Sequence, residues 1–154
     1  MVMEQFRYYL RVRYYECDAQ KVVYNANYAN YAGLATTEFL RTLAGWDLLQ
    51  GDLDFMLVSQ NVQWRSPARF DEVLEISVAV KEVGNSSLTI VTDFRSAGKD
   101  AVIASAETVR VLVDAKTLQK VEIPPELRRA LEKGAPGVVV DHAGYLQLDD
   151  FVFS

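Results

Sequence analysis

The sequence has one cysteine and one histidine in 154 residues, and each shortage removes a class of chemistry. A lone Cys17 forms no internal disulfide, and one Cys with one His supplies too few ligands for a structural zinc site. A Ser-His-Asp or Cys-His mechanism would have to recruit His142, which stands in the tail segment GVVVDHAGYLQ. Basic residues are also in deficit: 16 Lys and Arg stand against 21 Asp and Glu, a formal charge of −5. Phosphate-backbone binding needs the opposite balance, so no nucleic-acid partner is expected. No apolar run approaches the roughly 18 residues of a membrane span. The opening MVMEQFRYYLRVRYYE lacks a signal-peptide core. The expectation is a cytoplasmic protein with no membrane partner, no metal and no cofactor. An enzyme so poor in histidine is expected to use a carboxylate as its base.

What is present suits one packed domain. Half of the residues are hydrophobic and 24% are charged. Residues 6–16 alternate, with Phe6, Tyr8, Leu10, Val12 and Tyr14 on one face, which predicts a strand. The segment ANYANYAGLATTEFLRTLAGW changes to helical spacing, with Tyr28, Tyr31, Ala32, Ala35, Phe39, Thr42, Leu43 and Trp46 on one stripe. Asn25 or Asn27 is the expected N-cap, and Gly45 the expected end. Period two returns over 54–65, with a break near Ser59, and over 72–83, 88–94 and 101–114. In the last of these the apolar parity slips between Ala106 and Val109, which predicts a bulge or burial on both faces. Pro124-Pro125-Glu126 opens a short helix ending before Gly134. Hairpin turns at Gly84-Asn85 and Gly98-Lys99-Asp100 make neighbouring strands antiparallel. The predicted class is α+β, an antiparallel sheet curled around one long central helix. Residues 1–134 form the expected domain, and 135–154 a tail, with two Val- or Phe-rich patches, that fits an added strand.

The chemistry concentrates in residues 12–34. Asp18 lies in a short connection after the first strand, seven residues before Asn25 at the start of the helix. A helix start offers unpaired N–H groups able to hold a carbonyl oxygen as negative charge builds on it. A carboxylate nearby can attack that carbonyl or activate a water. Asp is also a common turn and cap residue, so spacing alone leaves both roles open. Glu38 with Arg41 reads as an ordinary i,i+3 helical ion pair. Cys17 has no visible source for the lowered pKa of a reactive thiolate.

The run Tyr15-Glu16-Cys17-Asp18, with Val22-Val23-Tyr24-Asn25 and Asn27-Tyr28, resembles the signature of hotdog-fold acyl-CoA thioesterases of the 4-hydroxybenzoyl-CoA thioesterase-like family. Ser66-Pro67-Ala68-Arg69-Phe70-Asp71-Glu72, Ser86-Ser87-Leu88 and Ile123-Pro124-Pro125-Glu126-Leu127 are similar to it too, in the same order along the chain. The resemblance implies a hotdog fold, a homodimer or homotetramer with sites at subunit interfaces, and an acyl-CoA substrate. It makes Asp18 the catalytic carboxylate, as nucleophile or general base, and the backbone N–H of Asn25 the group that polarises the thioester carbonyl. Tyr24, Asn27, Tyr28 and Gly33 would line the substrate. The sequence departs from the family's usual residues at Lys21 (often Gly), Asn25 (often His), Gly33 (often Glu or Asp) and Thr36 (often Arg). Gly33 removes a carboxylate near the acyl group and opens space there. A hydratase of the same fold would need a His near the helix, and none occurs in residues 1–141. A non-catalytic acyl-CoA binder is the alternative reading.

Overall fold

The structure, a computed structural model, describes residues 5–146, and for 44–50 the backbone alone. The elements run β1 (Phe6–Arg11), a single 3-10 turn (Tyr14–Glu16), α1 (Asn27–Gln50), β2 (Leu53–Trp64), β3 (Val73–Val83), β4 (Ser87–Ser96), β5 (Val102–Asp114), α2 (Pro125–Lys133) and β6 (Val139–Asp141). The six strands form one sheet in the order β2-β5-β4-β3-β1-β6. All neighbours are antiparallel except the last pair: β6 runs parallel to β1, with Arg7 opposite Val139 and Tyr9 opposite Asp141. The sheet is therefore mixed, not wholly antiparallel as expected. The physical reason is length of connection: more than a hundred residues separate β1 from β6, and parallel neighbours need a long crossover, not a hairpin.

Among the described residues two α-helices accompany the sheet, and the 24-residue α1 is the long one. It packs against β1, β2, β3 and β5. Its buried side chains Tyr28, Tyr31, Ala32, Ala35, Phe39 and Leu40 join Leu74, Ile76, Leu88, Ile90, Phe94 and Leu112 of the strands in one core. The ring of Phe6 meets Phe39 edge-on at 5.4 Å, and Tyr28 meets Phe94 the same way at 5.4 Å. Such edge-to-face pairs contribute about 0.5–1.5 kcal/mol each beyond the area they bury. Trp46 of the expected stripe lies outside the described side chains, and the patch at 151–153 lies outside the described residues.

Several local expectations need correction. The first strand stops at Arg11, and Tyr14 and Tyr15 stand exposed in the 3-10 turn. Tyr9, on the face expected to be open, is buried because the returning tail stacks Tyr145 on its ring at 5.3 Å. The N-cap of α1 is Ala26, with no side-chain cap bond, and the helix runs past Gly45 to Gln50. In β5 one face keeps its parity through Ala104, Ala106, Thr108, Arg110 and Leu112, and the expected burial on both faces is met at the two ends, where Ile103 and Val113 are buried too. Two polar residues on the buried face imitate a change of phase. One bulge lies in the neighbouring strand, where Leu57 and Ser59 pair with Arg110 and Val109 and leave Val58 unpaired, and β5 has its own at Ile103, between Val102 paired with Arg95 and Ala104 paired with Phe94.

Candidate active site

The connection from β1 to α1 is organised by a carboxylate the sequence did not single out as functional. Glu16 is buried, at 7% exposure, and its oxygens accept hydrogen bonds from the Arg13 backbone N–H (2.8 Å), the Arg13 guanidinium (2.6 Å) and the Tyr31 hydroxyl (3.0 Å). Its carbonyl accepts from the Tyr24 N–H at 3.0 Å and from Asn27 Nδ2 at 2.7 Å. One residue thus ties the 3-10 turn to the start of α1. Burial pushes the Glu16 carboxyl up, but the Arg13 and Tyr31 hydrogen bonds outweigh it and hold the group below the usual carboxylate range. The sequence signal was a charged residue next to a candidate nucleophile, which spacing does not separate from a solvated one.

A folded-state pKa below the unfolded one stabilises above the unfolded value and is lost as pH falls through the folded value. Glu16→Gln is accordingly expected to cost about 1–3 kcal/mol near neutral pH, where Tyr31 and Arg13 lose a charged acceptor. Melting curves of the two proteins across a pH series should converge as pH falls past the ordinary glutamate range and through the lower folded value, where the wild-type carboxylate also protonates. Parallel curves would remove this role.

Asp18 follows in a tight turn. Its N–H donates to Val22 O at 2.9 Å, its carbonyl accepts from the Lys21 N–H at 2.9 Å, and its Oδ1 accepts from the Gln20 N–H at 2.8 Å. Cys17 bridges to Val23, and Val22 to Arg69, so the 66–71 segment clamps the turn from outside. The same segment reaches the helix, where the Ala68 N–H donates to the Tyr28 hydroxyl at 3.3 Å. The Asp18 carboxylate remains exposed. Lys21 closes the turn at φ +62°, a left-handed conformation that favours glycine. Lys21→Gly should raise the unfolding free energy by up to about 1 kcal/mol, read as a higher denaturant midpoint. Burial, then the Asp18 and Glu16 charges, pushes the Cys17 thiol up, which is the wrong direction for a nucleophile.

Four of the six expected site residues occupy three separate clefts of the single chain. Asn25 and Tyr28 share one of about 270 Å³ with Trp64 and Arg65. Asp18 lines another of about 280 Å³ with Tyr14, Lys21 and Phe70. Gly33 lines a third, the roomiest of these at about 510 Å³. Tyr24 and Asn27 line none of the three. Tyr24 is exposed, and Asn27 serves as the strut to Glu16. Tyr28 is almost wholly buried and packs as a core residue with its hydroxyl satisfied. Among the described residues the Asn25 N–H meets no acceptor.

The third cleft holds a second group that sequence spacing missed. The tail brings His142 back over α1, where Nδ1 lies 2.9 Å from the Tyr8 hydroxyl and Nε2 lies 3.5 Å from Glu38. Glu38 also makes the expected pair with Arg41, at 2.8 Å. His142 thus does stand beside a carboxylate and the helix, 134 residues along the chain from Tyr8. The Val-rich run before it was the only hint, since a strand there pairs with β1 and delivers the imidazole. Among the described residues no three His, Cys, Asp or Glu gather as metal ligands would, and no helix is long and apolar enough to cross a membrane.

Comparison with known proteins places this geometry. The acyl-CoA thioester hydrolase YbgC of Escherichia coli O6:H1 is 29% identical over 124 residues, covering 79% of this chain and 92% of that one. The crystal structure of the Aquifex aeolicus protein AQ1494 superposes with a TM-score of 0.75 at 28% identity, covering 82% of this chain and 98% of that one. The BH1999 gentisyl-coenzyme A thioesterase superposes with a TM-score of 0.73 at 26% identity, covering 81% and 98%. The family model described as the thioesterase-like superfamily matches residues 12–131, from the end of β1 to α2. The chain belongs to that superfamily of hotdog-fold thioesterases.

Proposed function

We propose that the protein hydrolyses acyl-CoA thioesters to a carboxylic acid and free CoA, with Asp18 as nucleophile or general base. The Asn25 N–H polarises the thioester carbonyl, and Tyr24, Asn27, Tyr28 and Gly33 contact the substrate. The observation that carries this reading is the Glu16 clamp. It ties the turn that carries the exposed Asp18 carboxylate to the Tyr24–Asn27 segment, where the Asn25 N–H meets no acceptor among the described residues. The relatives' names, an acyl-CoA thioester hydrolase and a gentisyl-coenzyme A thioesterase, support the substrate class.

The separation of Asp18, Asn25 and Gly33 into three clefts supports a site completed by a second copy. The edge strand β2 is the surface for it, because Met56, Leu57, Val58 and Trp64 stand exposed there and its outer backbone groups pair with no strand among the described residues. In this reading the thioesterase unit is 1–134 with its sheet curled around α1, and 135–154 is an appended tail. The test is thiol release over a panel of short-chain, long-chain, branched and aromatic acyl-CoAs. Release from at least one is expected. No release from any, with CoA esters still bound, would make the protein a non-catalytic acyl-CoA binder.

A further inference from the structure

The cleft over Gly33 is built differently along its length. At the centre, a Cβ on Gly33 would meet nothing within 4 Å. A glycine inside a helix costs about 1 kcal/mol relative to alanine, and here it keeps volume open between Ala29 and Leu34. Asn30 and Thr37 also line the cleft beside the apolar Ala29 and Leu34, and at the far end the lining is polar throughout: Tyr8, Glu38, Arg41 and His142. This wall is assembled from β1, α1 and the tail. The tail segment is held by the Arg7 N–H donating to Val138 O at 3.1 Å and the His142 N–H donating to Tyr9 O at 3.0 Å. Asp141 stiffens it by accepting from the backbone N–H groups of Ala143, Tyr145 and Leu146. The imidazole therefore arrives on a fixed support. About 510 Å³ lies within the ~300–1,000 Å³ usual for small-molecule sites.

We propose that His142 sets the far wall of an acyl groove floored by Gly33 and so limits the length of acyl group that the protein accepts. The inference rests on the acyl-CoA reading above and adds a specificity-determining residue to it. α1 begins at Asn27, six residues or about 9 Å before Gly33, so where the second copy joins the two clefts an acyl group held by its carbonyl at the helix start runs toward this wall. An alkyl end that reached it would first meet the imidazole, held between Tyr8 and Glu38, and strip water from it with no hydrogen bond in return, which is unfavourable. The apolar floor favours chain, and the polar wall ends it.

The experiment measures kcat and KM of the full chain over saturated acyl-CoAs of increasing length, for wild type, His142→Ala, His142→Gln and Gly33→Leu. His142→Ala is expected to raise the long-to-short ratio of kcat/KM about tenfold, chiefly through a lower KM for long chains, as one or two newly accommodated methylenes would. His142→Gln, which keeps bulk and hydrogen bonding, should retain the wild-type profile, and Gly33→Leu should shift the cutoff to shorter chains. An active wild type whose His142→Ala variant keeps the same length profile, with an unchanged circular dichroism spectrum, overturns this inference alone. A folded wild type that releases thiol from no acyl-CoA removes the hydrolase reading and this inference together.

Discussion

Asp18→Asn is expected to lower kcat by about 10²–10⁴ while the fold stays intact. The substitution is close to isosteric, and an asparagine Oδ1 can accept the Gln20 N–H as the carboxylate does. The two backbone hydrogen bonds that close the turn use no side-chain atom of Asp18. What disappears is the negative charge, and with it both the nucleophile and the base. Thiol release measures the loss, and a thermal melt within a degree or two of wild type shows that the turn survived. Turnover near the wild-type level would sink the assignment of Asp18. Asn25→Ala is a useful contrast. The proposed donor there is main-chain, so the side-chain change should cost far less than the 10²–10³ typical of deleting an oxyanion donor.

Val58→Asp is expected to convert a homodimer to a monomer and to cut activity with it. Val58 is the bulged residue of β2, 59% exposed and out of register with β5, so an aspartate there disturbs the folded chain little. Val58 stands near the middle of β2, so in an antiparallel two-fold pairing centred on that strand the two aspartates would approach each other. Like charges brought together cost several kcal/mol, enough to weaken association about a hundredfold or more. Light scattering reads the mass, and Val58→Thr, a good strand former, should remain dimeric. A Val58→Asp protein that keeps the wild-type mass would rule out the β2 edge as the interface. One that is monomeric yet fully active would remove the shared site.

Much of the architecture was legible because strands and helices bury side chains at different periods. The four later strands and the apolar stripe of α1 could be read from those periods alone. The failures have definite causes. Tyr9 looked open because the residues that cover it, Asp141 to Tyr145, come from the far end of the chain. Thr108 and Arg110 broke the apolar alternation of β5 without breaking its geometry. Burial pushes the Arg110 guanidinium below its ordinary range, where it donates to Thr108. The Asp18 turn was legible as a short connection before a helix. The Glu16 clamp was not, since its value lies in contacts with Tyr24, Asn27 and Tyr31 that exist only once α1 has docked. His142 was invisible for the same reason: its partners Tyr8 and Glu38 are more than a hundred residues away.

The three-residue strand β6 has a bearing on how many copies can join. It lies along β1 and occupies the margin of the sheet opposite β2. Each chain is therefore left with one long margin, the twelve residues of β2, and one short margin of three residues that offers few backbone groups for growth in the plane of the sheet. A molecule with two open margins can add copies without limit, head to tail, as fibres do. A molecule with one can only meet another of its kind face to face, and the union is then saturated. The short tail strand thus blunts the second margin among the described residues, and an assembly larger than a pair is expected to grow through some other surface.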